Sequence, residues 1–384
     1  MYGYLTQTAI ESLRKKIEDE YRGIYLALGF KQIAPMPLIT TDDITLEFTN
    51  CTICAAKPFL VNGMVGEDYI LVQPAIRTKN YNFVHTSDQN TRYSTCFTMI
   101  GGFKFLDCRE TLRRSFDLIV WSEALFLRHL FKTSEIILTI PVQYEEFLPL
   151  SLHMQEKLGS IDVLIKKTKC DANNLKWKYG IRGIVGYGTR WEIGDTNGLV
   201  NWGNTIALFD DGKPVGIDFG GGVETLLQAY FQLKHCIFAN DYLRNQELAD
   251  LIDSPESIKW VDALIASTVI WREIKRLSYL PIRIKYILDK YVNAAVALSI
   301  VMEHSILQMQ HYIELIFKDV CYENCEKEFV AMFFNRHAEL RRLSTSPKVK
   351  ECLSRNDTRF YENSYLHRLT QYERCAILEL ISTK

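Results

Sequence analysis

The sequence predicts an α+β fold: a largely antiparallel sheet flanked by helices, followed by an all-helical domain. Two observations carry this. Through the first part of the chain, strand-like segments are separated by irregular loops rather than alternating strictly with helices, which argues against a doubly wound parallel sheet. From about Cys236 the texture changes: no glycine occurs after Gly222, and apolar residues fall at helical spacing almost to the end. The domain boundary is expected within 233–240, with domains 1–235 and 236–384.

Ile10, Leu13, Ile17, Tyr21, Ile24 and Leu28 recur every three or four residues and predict an amphipathic helix over 8–28, stopped by Gly29. Pro35 and Pro37 keep the next segment extended. Short strands are expected at Leu46–Asn50 and Tyr69–Gln73. Tyr93–Phe105 reads as a strand pair, or as one strand bent at Gly101-Gly102. A long helix is predicted over Glu110–Phe131, then a strand at Ile136–Ile140. Tyr144–Gly159 reads as helix interrupted at Pro149, and Ile161–Ile165 as extended. Lys166, Lys167, Lys169, Lys176 and Lys178 form a basic segment, readable as a solvated face or a phosphate-contacting surface. Leu199–Phe209 is strand-like and ends at Asp210-Asp211-Gly212, a hairpin signal. Val215–Leu227, VGIDFGGGVETLL, reads as a strand closed by Asp218, a glycine turn, and a helix opened by Glu224. Beyond it, helices are expected after Pro281 to Glu303, over Ile306–Phe317 and within Tyr361–Ser382, with a break at Ser344–Pro347.

The 384 residues carry a net charge of -1, so nucleic-acid binding would depend on local patches rather than on a global field. The start of the chain lacks the basic and apolar regions of a signal peptide, and no apolar run is long enough to span a bilayer. The expectation is a cytoplasmic protein whose ten cysteines are mostly thiols. Cys51-x-x-Cys54 has no second pair at zinc-ligand spacing.

Three polar features are candidates for one site. Arg77 ends a strand, Phe97 lies within one, and Asp218 precedes three glycines. An arginine fork suits phosphate, a flat ring suits a base, and a carboxylate suits an α-ammonium. The plainer readings are an ion-paired arginine at Arg77 and core aromatics at Phe97 and Trp177.

Six segments, in order over about 1–235, resemble the catalytic domain of alanyl-tRNA synthetase, a class II aminoacyl-tRNA synthetase. Asp43–Asn50, DITLEFTN, resembles D-P-T-L-x-F-T-N; Gln73–Arg77, QPAIR, resembles Q-x-x-x-R and is followed by Lys79. Tyr93–Phe105 resembles H-H-T-F-F-E-M-L-G-N-F-S-F, and Asn174–Trp177 resembles N-F-W with one extra residue. Trp202–Phe209 is similar to W-N-L-V-F, and Asp218–Leu226 to D-T-G-M-G-L-E-R-L.

The resemblance implies ATP-dependent formation of an aminoacyl-adenylate, with Mg²⁺ on the ATP phosphates, then transfer of the aminoacyl group to tRNA or another acceptor. It implies Arg77 on the α-phosphate, Phe97 against adenine, and Lys79, Met99 and Gly222 elsewhere around ATP. Asp218 would hold the amine of a small amino acid, in a pocket shaped by Trp177, Asn204 and Gly220. The helical domain resembles the family's tRNA-recognition region; its basic cluster of Arg336, Arg341, Arg342, Lys348 and Lys350 reads either as a candidate tRNA-backbone contact or as a plain solvated face. The expected chain has these two domains without the family's editing and C-terminal domains. Departures are specific. The second-motif glutamate is replaced by Thr98 and the third-motif arginine by Thr225, with Arg190 and Lys104 as replacement cations. The G-P-C-G-P-C-S-E-I segment survives only as Gly183–Gly186 and a displaced Glu192-Ile193. These departures support an alternative, a catalytically degraded paralogue that binds tRNA, an amino acid or a protein.

Overall fold

In a computed structural model of the chain, the apolar stripe of Ile10, Leu13, Ile17 and Ile24 lies on one face of helix α1 (Gln7–Ala27), which ends at Gly29 with φ +86. The structure describes residues 7–40, 46–82, 93–169, 175–196, 198–321, 325–347, 349 and 371–382. Two compact units are present. The first comprises Met1–Arg77, Ser87–Tyr93 and Phe97–Asp241; the second comprises Thr78–Thr86, Ser94–Cys96 and Tyr242–Lys384.

In the first unit β1 (Lys31–Gln32) follows α1, and then a 3-10 turn, Thr52–Ala55, runs into α2 (Lys57–Val61). Then come β2 (Tyr69–Ile76), β3 (Cys96–Phe105), α3 (Arg109–Leu130), β4 (Ile136–Pro141), α4 (Leu152–Ser160) and β5 (Val163–Thr168). Three short strands follow, β6 (Lys176–Lys178), β7 (Ile184–Gly188) and β8 (Arg190–Asp195). The long hairpin β9 (Gly198–Asp210) and β10 (Lys213–Gly222) leads into α5 (Val223–Phe231). The main sheet order is β1-β2-β3-β10-β9-β8-β4-β5, with β7 also on β9 and β6 on β7. The β1–β2 and β4–β5 pairs are parallel; β3–β10, β9–β10, β8–β9, β4–β8, β7–β9 and β6–β7 are antiparallel.

The sheet has two unlike faces. One packs Ile100, Ile217 and Phe219 against Ile17, Tyr21 and Tyr25 of α1, Phe116, Ile119 and Val120 of α3, and Leu226 of α5. Beneath α1, Glu123 is fully buried and accepts hydrogen bonds from the Tyr21 and Tyr25 hydroxyls. The other face carries a smaller apolar cluster, Phe103, Phe105, Ile206 and Leu208, covered by Ile53, Leu60 and Trp177. Because side chains alternate along a strand and paired residues share a face, the register of β10 puts Asp218, Gly220 and Gly222 on this second face. Phe103, Gly101 and Met99 of β3 stand opposite them.

The second unit contains α6 (Gln246–Asp250), α7 (Pro255–Ile274), α8 (Ile282–Val301), α9 (Ile306–Cys321), α10 (Lys327–Thr345) and α11 (Gln371–Ser382). A capping box at Ser254 and Ser257 starts α7, whose Trp260, Leu264, Ile265 and Val269 are buried. Asp262 accepts the backbone N–H and hydroxyl of Thr95, and Lys259 lies over the rings of Tyr81 and Tyr372. Among the described residues no helix is long and apolar enough to cross a membrane.

Four expectations need correction. The strand ending at Asp218 continues through all three glycines to Gly222, so no turn separates Asp218 from the helix. β3 likewise runs unbroken through Gly101-Gly102, because β10 pairs along both residues. Leu46–Asn50 is not a strand; its Thr49 bonds singly to Leu38 and Ile76 rather than in a ladder. The basic segment hides β6, and β7 and β8 follow it.

Candidate active site

Asp218 occupies the middle of β10, between β3 and β9, and is 5% exposed. Its carboxylate accepts hydrogen bonds from Thr52 Oγ1 in the 3-10 turn and from Tyr179 Oη at 3.4 Å. Burial pushes this carboxyl up to about 7, with Cys54 adding to the rise; the Thr52 and Tyr179 bonds and the Arg77 charge pull the other way. A buried acid in this state favours a cation as its next partner.

Thr52 is itself fixed. Its carbonyl accepts from Tyr69 Oη at 2.9 Å, and the neighbouring Cys51 carbonyl accepts from Gln73 Nε2 at 3.0 Å, so β2 holds the turn beneath Asp218. Cys51 and Cys54 flank Thr52 with their sulfurs 3.5 Å apart.

A second cluster lies at the β2–β3 end. The exposed Arg77 donates from Nε to the Asn50 carbonyl at 3.0 Å and lies over the half-buried Phe97 ring, 5.1 Å from its centroid. Gly222 stands opposite Met99; a Cβ on Gly222 would sit 3.1 Å from Thr225 Oγ1 and 3.6 Å from Phe97 Cδ2. Arg77, Phe97, Met99, Gly222 and Thr225 therefore gather at one place. Asn204 pairs with Gly220 where β9 passes from pairing with β8 to pairing with β7. Trp177, on β6, packs on Gly188, where a Cβ would approach its ring to 2.7 Å.

Gly220 has φ +126, and a Cβ there would lie 2.1 Å from the Ile100 carbonyl oxygen. The close approach at this glycine is made by the chain's own β3 backbone. Lys79 lies in the turn Thr78–Asn82 of the second unit and is exposed.

The replaced charges are accounted for locally. Arg14 of α1, almost fully buried, donates to Glu224 at 3.0 Å and to Thr98 Oγ1 at 3.2 Å, while the Thr98 N–H donates to Glu224 Oε2 at 2.8 Å. Thr98 thus joins an internal Arg–Glu network. Lys104 is not a substitute cation: it alternates to the opposite face from Phe103, pairs with Asp68 at 2.5 Å and lies over Phe30. Burial raises the Tyr93 hydroxyl, and the charges of Arg77 and Arg190 both pull it the other way, so the two guanidiniums act on one hydroxyl.

Among the tRNA-contact candidates, Arg336 is withdrawn into ion pairs with Glu339 and Glu373, while Arg341 and Arg342 are exposed. Lys348, Lys350 and Asn174 lie outside the described residues. Sequence reasoning missed Thr52 and Tyr179 as partners of Asp218. Tyr179 stands two residues from Trp177, the spacing of a shared strand face.

No protein-family model matches the chain, and no curated protein does. Among solved structures it is similar to the RNA binding domain of threonyl-tRNA synthetase from Cryptosporidium parvum Iowa II, at 13% identity and TM-score 0.37, covering 57% of this chain and 64% of that one. It is similar to S. aureus histidyl-tRNA synthetase at 13% identity and TM-score 0.35, covering 59% and 67%. Entamoeba histolytica asparaginyl-tRNA synthetase gives 11% identity and TM-score 0.35, covering 62% and 67%. The chain thus spans less than two thirds of the threonyl structure. At these values the functional reading rests on this chain's own residues.

Proposed function

We propose that this protein is an ATP-dependent, alanyl-tRNA synthetase-like aminoacyl ligase, working in the cytoplasm on a small amino acid. The observation that carries this reading is a buried carboxylate, Asp218, on the same sheet face as Gly222 and Met99, beside which Arg77 and Phe97 meet. In this reading Asp218 binds the α-ammonium and orients the carboxylate, while Trp177 and Asn204 bound the side-chain space. Phe97 stacks on adenine and Arg77 faces the α-phosphate. The amino-acid carboxylate attacks the α-phosphorus, pyrophosphate leaves, and the acceptor then attacks the acyl carbon, releasing AMP. The protein contributes positioning and charge neutralisation. In this reading Mg²⁺ enters on the ATP phosphates. The acceptor is tRNA in this reading, contacted through surface cations such as Arg341 and Arg342.

Calorimetric titration with ATP and Mg²⁺ tests the nucleotide half. Phe97→Ala is expected to weaken ATP binding about 10- to 100-fold, the range of a lost base–aromatic stack. Arg77→Ala is expected to do so comparably through the lost phosphate contact. Binding of tRNA by a wild-type protein that takes up no ATP would favour a binding module instead.

A further inference from the structure

We propose that Cys51 and Cys54 are a modification site: they close into a reversible disulfide in the wall that holds Asp218, and closure weakens cation binding there. The second half rests on the amine-binding reading of Asp218; the first does not.

The pair is brought together by local geometry. Cys51 is the extended N-cap of the 3-10 turn Thr52–Ala55, and the turn folds Cys54 back toward it. Their sulfurs stand 3.5 Å apart, within side-chain rotation of the roughly 2.0 Å of an S–S bond. The hydrogen bonds from Tyr69 and Gln73 hold the backbone of 51–52, leaving the side chains to make the adjustment. Cys54 is buried and Cys51 is half-buried, which leaves an approach for a small oxidant. The Cys51 hydrogen bond, backbone N–H groups and Lys57 favour the thiolate of Cys54, against burial, while the same contact disfavours that of Cys51. No further ligand joins the two sulfurs in a metal-binding group among the described residues.

Hydrogen peroxide serves as the oxidant. The Cys54 thiolate attacks one peroxide oxygen, the O–O bond breaks, and water leaves after proton uptake, giving a sulfenic acid. The Cys51 sulfur then attacks the Cys54 sulfur. The S–O bond breaks, and the departing hydroxide takes the Cys51 proton as a second water. Two thiols are oxidised, one peroxide is reduced, and a dithiol reductant reverses the change.

Thr52 lies between the two cysteines and donates to Asp218, and the Cys54 thiolate acts on the same carboxyl. Closure removes one negative neighbour and tightens the turn that presents the Thr52 hydroxyl. At pH 8.5, where Asp218 is ionised with the pair open or closed, a cation there is expected to bind about tenfold more weakly, the scale of one nearby charge at partly screened range.

The test treats the full-length protein with hydrogen peroxide, alkylates it, and maps the peptide carrying both cysteines by mass spectrometry. The expected peptide is two hydrogens lighter and unalkylated, and dithiothreitol returns both alkylation sites. Cys51→Ser should instead leave Cys54 as a dimedone-reactive sulfenic acid. If both thiols stay alkylatable while the exposed Cys108 and Cys375 oxidise, the disulfide is wrong, whatever the protein's activity. Where the disulfide forms, amino-acid-dependent pyrophosphate exchange at subsaturating amino acid and pH 8.5 should fall about tenfold in oxidised wild type and recover when dithiothreitol reopens the pair. An unchanged rate in oxidised wild type would overturn the coupling to Asp218 alone.

Discussion

Asp218→Asn is expected to make the protein more stable at pH 8 while abolishing amino-acid activation. The sign follows from linkage. The native Asp218 carboxyl keeps its proton up to about pH 7, whereas in the unfolded chain it loses it near the ordinary value of about 3.9. Between those values the native state binds more protons, so stability falls as pH rises. Above about 7 the full cost of the buried charge remains, on the order of 4 kcal/mol. Asparagine keeps an oxygen for the Thr52 hydroxyl, turns its NH2 toward the Tyr179 hydroxyl, which can accept, and carries no charge. Thermal unfolding of the two proteins should therefore show the variant ahead at pH 8, with the gap closing toward pH 4. A variant equally stable at both pH values, or less stable than wild type at pH 8, would place the cost of this acid elsewhere. Loss of a buried charge partner should lower kcat/KM for the amino acid by about 100-fold or more. Stability gained where function is lost is the signature of a residue kept for its ligand.

Gly220→Ala should remove the folded first unit under ordinary conditions. Alanine there must adopt φ +126 with its Cβ 2.1 Å from the Ile100 oxygen and 2.5 Å from Gly101 Cα. Both obstacles are backbone, so relief requires β3 and β10 to separate. The expected loss exceeds about 4 kcal/mol, in the range reserved for backbone strain combined with overpacking. Gly212→Ala is the control. It also has positive φ, +80, but nothing lies within 4 Å of its Cβ, and a loss of about 1–2 kcal/mol is expected. Denaturant unfolding of the two variants separates strain from collision. Equal losses would mean that the sheet yields at Gly220.

These two residues, two apart in one strand, show what was legible in the sequence. Asp218 stood out because a carboxylate beside glycines is poorly explained by packing. Its partners were not legible: Thr52 lies 166 residues away along the chain, joined by topology rather than by pattern. The glycines read as a turn because glycine punctuates loops. Here they allow two strands to close at Gly101 and Gly220, a demand set by the opposing strand. Helices with clear 3.6-residue stripes, such as α1 and α3, came out close to their observed bounds. Strand β6 was missed because Lys176 and Lys178 flank Trp177 and look like a solvated face, although β7 pairs along its edge. Thr98 read as a lost catalytic group. Its place in the Arg14–Glu224 network explains how the chain uses the position, and only a fold that joins α1, β3 and α5 reveals it.

The most direct test of the central claim is amino-acid-dependent exchange of pyrophosphate into ATP, measured on wild type and Asp218→Asn over a panel of amino acids between pH 5.5 and 8.5. The account predicts exchange with a small amino acid, kcat/KM for that amino acid rising through about pH 7 as Asp218 ionises, and no measurable exchange in the variant. Absence of exchange with every amino acid, or the same exchange and pH profile in Asp218→Asn, would contradict it.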